Sequence, residues 1–314
     1  MSPSPRLTVG LPVYNGGNYL AESLDALLGQ SYEDFELIIS DNGSTDDTAD
    51  VCRRYEKQDS RISYFRQIRN IGLSPNHNFV FERARGELFK WASNDDLYAR
   101  DLLKRCVEAL DEHPHVVLAH SWTAMIDSSG IVTNATEYPL STASLHAPER
   151  FRSLLFDEGC DDDGGVIRAE VLRRTAMKDS YHHADRTIIT EIGLHGPFYQ
   201  VPDWLYFRRD HPERAERACP TTRARCANMD PRRADPLRHP AVRLYGEYVW
   251  AYVAAIRRAP LSSADRRQCY GYLAQWMASR AARGNARQAE ESASVAQAAI
   301  SVEAVVAGRQ KRIW

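Results

Sequence analysis

Three clusters of polar side chains, each placed directly after an apolar run, are the residues of this sequence best suited to bind a charged small ligand. They are Tyr14–Gly16, Asp41–Gly43 and Ser93–Asp96. Carboxylates at the end of a buried strand suit a divalent cation, because hard cations take few oxygen ligands from protein and leave positions for substrate phosphate. Each cluster alone is explained by turn formation or helix capping. The three together favour a binding site.

The elements that must position these clusters alternate along the chain. Hydrophobic periodicity predicts strands at Leu7–Asn15, Phe35–Ser40, Ile62–Arg66 and Leu88–Ala92, and helices at Tyr19–Gln30, about Asp47–Gln58 and Pro75–Ala84. This alternation predicts an α/β fold with a parallel sheet and helices on both faces. Ligands of such sheets lie beyond the carboxyl ends of the strands, so the three clusters are expected to share one rim.

The second half of the chain is less regular. The pattern predicts helices at Asp101–Glu112, Pro148–Phe156 and Arg186–His195, with Asp185 as an N-cap, and strands at Val116–Trp122, Ile131–Asn134, Phe198–Val201 and Trp204–Phe207. Three further helices are predicted at Arg243–Ile256, Ser263–Ala282 and Ala286–Val306.

Composition excludes several classes of protein. The chain has 314 residues, 43% of them hydrophobic, and a formal charge of -2, which does not indicate nucleic-acid binding. Six cysteines without a CxxC pair indicate reduced thiols rather than a disulfide framework or a zinc site. No apolar run is long enough to span a bilayer, and the start does not resemble a signal peptide. A cytoplasmic location is therefore expected.

One segment departs from this neutral composition. Residues Tyr206–Arg243 contain ten arginines against five acidic residues. The segment is interpreted either as a solvated loop or as an electropositive lid over an anionic ligand.

The motifs carry a resemblance to a known family. Thr8–Asn15 followed by a helix, Phe35–Asp46, Arg69–Leu73 and Ser93–Leu97 resemble, in order and spacing, the nucleotide-sugar half of family 2 glycosyltransferases with the GT-A fold. The resemblance spans about Leu7–Leu110. It continues more weakly to about Pro212 through Asp185–Glu191, Gly196–Pro202 and Arg209–His211.

The resemblance implies a fold and a division of the chain. The fold is a GT-A, Rossmann-like, mostly parallel sheet with helices on both faces, plus an all-helical C-terminal extension. Residues 1–115 are expected to form the nucleotide-sugar half and residues 116–215 the acceptor half. Residues 216–242 are then a basic loop and residues 243–314 the helical extension.

The resemblance also implies roles for residues at the matching positions. Pro12, Tyr14 and Asn15 would line the base and ribose pocket, Asp41 would accept a hydrogen bond from the nucleobase, usually uracil, and Asn70 would close the nucleotide site. Asn94 stands where many relatives carry another carboxylate.

The remaining implied roles concern the sugar, the diphosphate and the acceptor. Asp95 would contact ribose or sugar. Asp96 would ligate the Mn²⁺ or Mg²⁺ that bridges the diphosphate, with His211 as the second protein group near it. Asp185 falls where the family keeps its general base.

Two other carboxylate positions compete for the role of base. Glu191 lies six residues after Asp185, about 120° away on one helix, so both cannot face the site. Asp185, nearer the helix start, is preferred. The run Asp161–Asp163 is a second reserve.

The predicted function is therefore metal-dependent, inverting transfer of a sugar from a nucleoside diphosphate sugar, UDP- or dTDP-linked, to an acceptor hydroxyl. Two alternatives remain. A nucleotidyltransferase usually needs a basic residue after its glycine-rich loop, which Gly16-Gly17-Asn18 lacks. A degenerate nucleotide-sugar-binding protein is suggested by Asn94.

The expected partners follow from this function. They are the nucleotide-sugar donor and a small-molecule, glycan or lipid-linked acceptor. A homodimer through the C-terminal helices and peripheral membrane contact are compatible with the sequence.

Overall fold

The computed structural model describes residues 4–136, 141–156 and 164–281. Two predictions lie outside these residues. One is the helix at Ala286–Val306, and the other is the reserve carboxylate run Asp161–Asp163.

The N-terminal half has the predicted alternation. Its elements are β1 (Leu7–Val13), α1 (Leu20–Leu28), β2 (Phe35–Asp41), α2 (Thr48–Gln58), β3 (Ile62–Arg66), α3 (Leu73–Glu82) and β4 (Leu88–Trp91). The four strands are parallel and lie in the order β3-β2-β1-β4. The ends of β1, β2 and β4 therefore lie side by side, as predicted.

The elements that follow add further strands to the same sheet, with helices between them. They are β5 (Leu97–Tyr98), α4 (Leu102–Glu112), β6 (Leu118–Ile126), β7 (Val132–Thr136), α5 (Ala147–Phe156), β8 (Val166–Arg168), α6 (Ala169–Leu172), α7 (Ala184–His195) and β9 (Phe198–Arg209). Strand β8 pairs antiparallel with both β4 and β6, and β6 pairs parallel with β9. Among the described residues, nine strands form one mixed sheet.

Three predicted boundaries in this half are wrong. The two short strands expected around Pro202 are one continuous strand, β9, because its pairing with β6 shifts register at Ser121 and Trp122 and so accommodates the proline. Strand β6 is longer than predicted. The two-residue strand β5 was not predicted, because its sequence has no alternating pattern of its own.

Two apolar layers hold helices on both faces of the sheet, as expected. One layer contains Leu24 of α1, Val51 of α2 and Leu103 of α4. The other joins α3, α5 and α7 to the opposite face. Gly10 of β1 permits the close approach of α3, because a Cβ there would lie 2.6 Å from Val80 Cγ2.

The basic segment is partly helical rather than a loop. It contains the short helix α8 (Ala215–Ala218), helix α9 (Thr222–Met229) and a 3₁₀ turn at Pro231–Ala234, and it leads into α10 (Ala241–Arg258). Residues 263–281 are also helical. The described residues divide into two compact units, one up to Cys269 and one of which residues 270–281 are described. The division into halves and extension made from the sequence stays a prediction.

None of the helices in the described ranges has the length and apolar character needed to cross a bilayer.

Helix α10 packs against α7 and shares an ion pair with it. Glu191 of α7 is buried, and its Oε1 lies 2.7 Å from Nε of Arg258. Its Oε2 also accepts a hydrogen bond of 3.1 Å from the backbone N–H of Ala176. The Glu191 side chain therefore holds α10 and the loop before α7 in place.

Removal of the arginine tests this contact. We expect Arg258→Ala to lower the free energy of unfolding by about 2 kcal/mol, because it leaves a buried carboxylate without its cation. Urea denaturation followed by circular dichroism measures the change. The control is Arg174→Ala, which removes an exposed partner 3.9 Å from Glu170 and is expected to change stability by less than about 0.5 kcal/mol. Equal effects of the two variants would contradict the assignment.

Candidate active site

The ends of β1 and β2 are joined by hydrogen bonds between their turns. The backbone N–H of Asn15 donates to Ser44 Oγ at 2.9 Å, and Asn15 Oδ1 accepts from the backbone N–H of Thr45 at 2.9 Å. Asn15 has a positive φ of 50°, which asparagine tolerates better than most residues. Tyr14, beside it, is 45% exposed and presents its ring at the rim, whereas Pro12 is buried in β1.

Two glycines let the β1 turn approach its neighbours closely. A Cβ at Gly16 would lie 2.6 Å from Asn94 Nδ2, and a Cβ at Gly17 would lie 1.9 Å from Asp47 Oδ1. The backbone N–H groups of Gly16 and Gly17 donate to Thr48 Oγ1 and Asp46 Oδ2. The structure thus brings all three predicted polar clusters together, and Asn94 lies against the β1 turn.

Asp41 is completely buried at the end of β2. Its Oδ1 accepts from the backbone N–H of Ser44 at 2.8 Å, and its Oδ2 accepts from Tyr64 Oη at 2.8 Å and lies 3.3 Å from Arg66 Nε. Burial, followed by the hydrogen bond to Asp41, raises the pKa of Tyr64 above its usual value. The carboxylate thus shapes the β2 turn.

Asn70 closes a second turn beside Asp41. Its Oδ1 accepts from Asn42 Nδ2 at 3.1 Å and from the backbone N–H of Gly72 at 2.8 Å. Gly72 has φ 98°, and a Cβ there would lie 2.3 Å from the carbonyl oxygen of Met229 in α9. The basic segment therefore packs directly against the loop expected to close the nucleotide site.

Asp95 and His211 are two potential metal ligands that contact each other. Asp95 Oδ2 lies 2.9 Å from His211 Nε2, and the imidazole packs on the Tyr19 ring at 4.9 Å between centroids. The Asp95 side chain keeps 16% exposure. Among the described residues no group of three or more His, Cys, Asp or Glu side chains that could hold a metal ion occurs. A carboxylate oxygen and an imidazole nitrogen with open positions fit a cation that also binds phosphate.

Asp96 points away from solvent, although the sequence assigned the metal to it. The residue is 1% exposed, its Oδ1 accepts from the backbone N–H of Arg209 at 2.9 Å, and its Oδ2 accepts from Tyr206 Oη. Burial, and next the charge of Asp95, raises the pKa of Asp96 to about 6. In this structure both oxygens of Asp96 are directed at β9, and the assignment of the metal to Asp96 stays a prediction.

Arg209 connects the acidic turn to three other parts of the fold. Its guanidinium is 1% exposed and donates to the carbonyl oxygens of Asp95 at 2.8 Å and Ser128 at 3.0 Å. It also donates to Glu22 Oε2 of α1 at 2.6 Å and lies 4.5 Å from the centre of the Tyr19 ring. This one side chain therefore fixes the turn after β4, helix α1 and the β6–β7 hairpin relative to β9.

Asp185 lies in the first turn of α7 and is half-buried. The N-cap is His183, with φ 61°, so the prediction of Asp185 as the cap is wrong by two residues. A carboxylate in a first helical turn interacts favourably with the helix dipole.

The loop before α7 is attached to the nucleotide-binding half. Asn78 Nδ2 of α3 donates to the Lys178 carbonyl oxygen at 2.8 Å, and Ser74 Oγ donates to that of Asp179 at 2.6 Å. The Lys178 ammonium lies 4.9 Å from the ring centre of Trp91, the last residue of β4. These contacts fix the start of α7 to α3 and to the strand that carries the acidic turn.

Sequence reasoning missed several residues that hold this site. Arg209 was noted only as a neighbour of His211, and Tyr19, Glu22 and Tyr206 were assigned no role. The available signal was that Arg209 and His211 are two residues apart at a strand end, so that both point to the same side. Nothing in the sequence indicated that Glu22, an acidic residue in the first turn of α1, contacts Arg209.

Substitution of Arg209 tests its positioning role. We expect Arg209→Lys to lower the free energy of unfolding by about 2–3 kcal/mol, because an ammonium cannot reach all three acceptors in the fixed fork geometry of a guanidinium. Chemical denaturation measures the loss. Arg217→Lys is the control, since its exposed pair with Asp210 contributes less than about 1 kcal/mol. A stable Arg209→Lys variant would rule out the proposed role.

Comparison with known proteins identifies the fold and the family. Residues 8–176 match the model of glycosyl transferase family 2. A putative teichuronic acid biosynthesis glycosyltransferase, TuaG of Bacillus subtilis, is 32% identical over 154 residues, 49% of this chain and 56% of that protein. An uncharacterized glycosyltransferase of Rickettsia typhi is 34% identical over 109 residues, 35% of this chain and 33% of that protein. The matched region thus spans about a third to a half of these relatives.

Solved structures share the fold. Residues 1–349 of S. aureus TarS in complex with UDP-GlcNAc align with a TM-score of 0.63 at 19% identity, over 87% of this chain and 71% of that one. The mannosyltransferase PcManGT from Pyrobaculum calidifontis, in complex with GDP-Man and Mn²⁺, aligns with a TM-score of 0.52 at 20% identity, over 90% and 81%. The fold is GT-A, and the family match covers more than half of the sequence. The chain therefore belongs to glycosyl transferase family 2.

Proposed function

We propose that this protein transfers a sugar from a nucleoside diphosphate sugar to an acceptor hydroxyl, with a divalent cation, in one inverting displacement. The observation that carries the proposal is the Asp95–His211 pair at 2.9 Å, which lies beside the convergent ends of β1, β2 and β4. Members of the same fold are described in complex with UDP-GlcNAc and with GDP-Man and Mn²⁺. A UDP- or dTDP-linked donor remains our first expectation.

In this proposal the β1 and β2 turns bind the nucleoside. Tyr14 offers an exposed ring, Asn15 lies beside it, and Asn70 with its turn closes the pocket. Asp41 acts indirectly, since its oxygens hold the backbone of the turn. Arg66 is partly exposed next to Asp41, so a positively charged guanidinium group lies near this pocket.

The cation would be held by Asp95 and His211. Asp95 replaces Asp96 in this role, because its carboxylate keeps exposure and faces the imidazole. Mixed carboxylate and imidazole ligation favours Mn²⁺ over Mg²⁺, which prefers oxygen ligands. When bound, such a cation neutralises negative charge that develops on the departing diphosphate.

Asp185 is the proposed general base. It would accept the proton of the acceptor hydroxyl on a carboxylate oxygen while that hydroxyl attacks the anomeric carbon opposite the diphosphate. Its first-turn position on a helix anchored to α3 and β4 supports this assignment. Attack from the face opposite the leaving group inverts the anomeric centre.

A panel of nucleotide sugars tests the proposal and both alternatives. With Mn²⁺ present, we expect one donor to stabilise the protein against heat and to be hydrolysed slowly to a nucleoside diphosphate. Release of pyrophosphate from a sugar phosphate and a nucleoside triphosphate would identify a nucleotidyltransferase instead. Binding without turnover would identify a binding protein.

Calorimetry of variants separates the metal assignments. We expect Asp95→Asn and His211→Gln each to weaken the Mn²⁺-dependent donor affinity by about 10- to 100-fold, because each removes one of two protein ligands. Titration calorimetry of Mn²⁺ with the nucleoside diphosphate measures this loss. Asp210→Asn is the matched control, because Asp210 adjoins His211 but pairs with Arg217 on the surface. If Asp95→Asn kept full metal affinity, Asp96 would be the expected metal ligand instead of Asp95.

A separate variant tests the base. We expect Asp185→Asn to reduce the transfer rate by about 10²- to 10⁴-fold and to leave donor affinity within about twofold, because the amide cannot accept the acceptor proton. Steady-state transfer and calorimetry measure the two quantities. Asp179→Asn, a half-exposed acid in the same segment, should retain both. Unchanged turnover in Asp185→Asn would disprove the assignment.

A further inference from the structure

Helix α10 has one buried apolar side, and two large apolar side chains, Val242 and Trp250, are exposed away from it. Its inner side packs into the fold through Leu244, Tyr248, Tyr252, Ala255 and Ile256. Away from this side Val242 is 80% exposed and Trp250 56%. Tyr245 lies at the N-terminal end of the inner side and is 43% exposed. We call Val242 and Trp250, with Arg243 and Arg257, the outer face of α10.

The charged residues of this face are mostly basic. The Arg257 guanidinium lies 5.1 Å from the Trp250 ring centre, and the Arg243 side chain is 53% exposed. Glu247 is the single acidic residue in α10, and Arg233 and Arg243 share it. The turn before the helix adds Leu237, 91% exposed, and Arg238, whose side chain is 84% exposed. Exposed aromatic and aliphatic side chains thus lie among arginines.

The distribution of charge argues against a second copy of the chain as the cover. An antiparallel two-fold contact centred on Trp250 would place Arg243 of one copy opposite Arg257 of the other. A parallel two-fold contact would place each arginine opposite itself. Like charges that face each other in an interface are unfavourable, so self-association does not suit this face.

An anionic lipid surface suits both features. Arginines near a bilayer are attracted to lipid phosphates, and tryptophan and tyrosine prefer the boundary between headgroups and acyl chains. A helix with such a face lies in the plane of the interface instead of spanning it, in agreement with the absence of a spanning helix among the residues described. We propose that the outer face of α10 binds the surface of an anionic bilayer, with Val242 and Trp250 inserted at the headgroup level.

Vesicle flotation with the full chain tests this proposal. Vesicles of phosphatidylcholine with 30 to 40 mol% phosphatidylglycerol are compared with pure phosphatidylcholine at low and high salt. We expect binding to the anionic vesicles that high salt weakens. Val242→Ser with Trp250→Ser should reduce the partition coefficient at least tenfold, and Arg257→Gln about fivefold on anionic vesicles alone.

Controls separate this surface from general stickiness and from misfolding. Ile68→Ser removes a fully exposed aliphatic side chain outside α10 and should leave vesicle binding unchanged. Brominated acyl chains should quench fluorescence of the wild-type protein more than that of Trp250→Phe, which reports insertion without a disruptive substitution.

Three outcomes would overturn the proposal. They are equal binding to neutral and anionic vesicles, loss of binding in Ile68→Ser equal to that in the α10 variant, and a concentration-dependent dimer that shields Trp250 while vesicles fail to bind. Donor hydrolysis in the absence of vesicles is measured in parallel, so that failure of the glycosyl-transfer proposal is recognised separately.

Discussion

The buried guanidinium of Arg209 is the contact on which the geometry of the site depends. A cation withdrawn from water is stable only if its donors are satisfied. Here the acceptors come from the turn after β4, from α1 and from the β6–β7 hairpin. Because the fork of donors is planar and rigid, these three segments can take only one arrangement around it. His211 follows two residues later, so its distance to Asp95 is set by the same anchor.

The two adjacent carboxylates of the acidic turn have opposite environments. Asp96 faces β9, whereas Asp95, in the bend before it, faces His211. Asp96 receives the backbone N–H of Arg209 and Tyr206 Oη, whereas Asp95 receives the imidazole. Burial raises the pKa of Asp96 from its ordinary value of 3.8 to about 6, so the contribution of this carboxyl to the stability of the folded chain falls as the pH rises from about 4 to about 6. In the fold Asp96 holds the acidic turn against β9.

The sequence was sufficient for what depends on local periodicity and topology. The alternation from Leu7 to Trp91 specified four parallel strands, and the topology then forced their polar ends onto one rim. It was insufficient where a choice depended on side-chain direction. The sequence alone does not show which of the two carboxylates, Asp95 or Asp96, is buried. It also does not distinguish the buried Asp41 from an exposed turn residue. Pro202 suggested two strands, since a register shift that absorbs a proline leaves no local pattern.

Glu191 illustrates how the third dimension decides between chemically equal residues. Asp185 and Glu191 are both carboxylates on one helix, and the sequence separates them as candidates only by their distance from the N-terminus of that helix. In the fold, Glu191 meets Arg258 of α10, a residue 67 positions later that belongs to the region outside the family match. This ion pair, together with the backbone N–H of Ala176, satisfies a carboxylate that is buried in the fold. The segment after residue 176 thus contributes to the site by fixing α7. The outer face of α10 stays exposed, and it is this face that we propose to bind a bilayer surface.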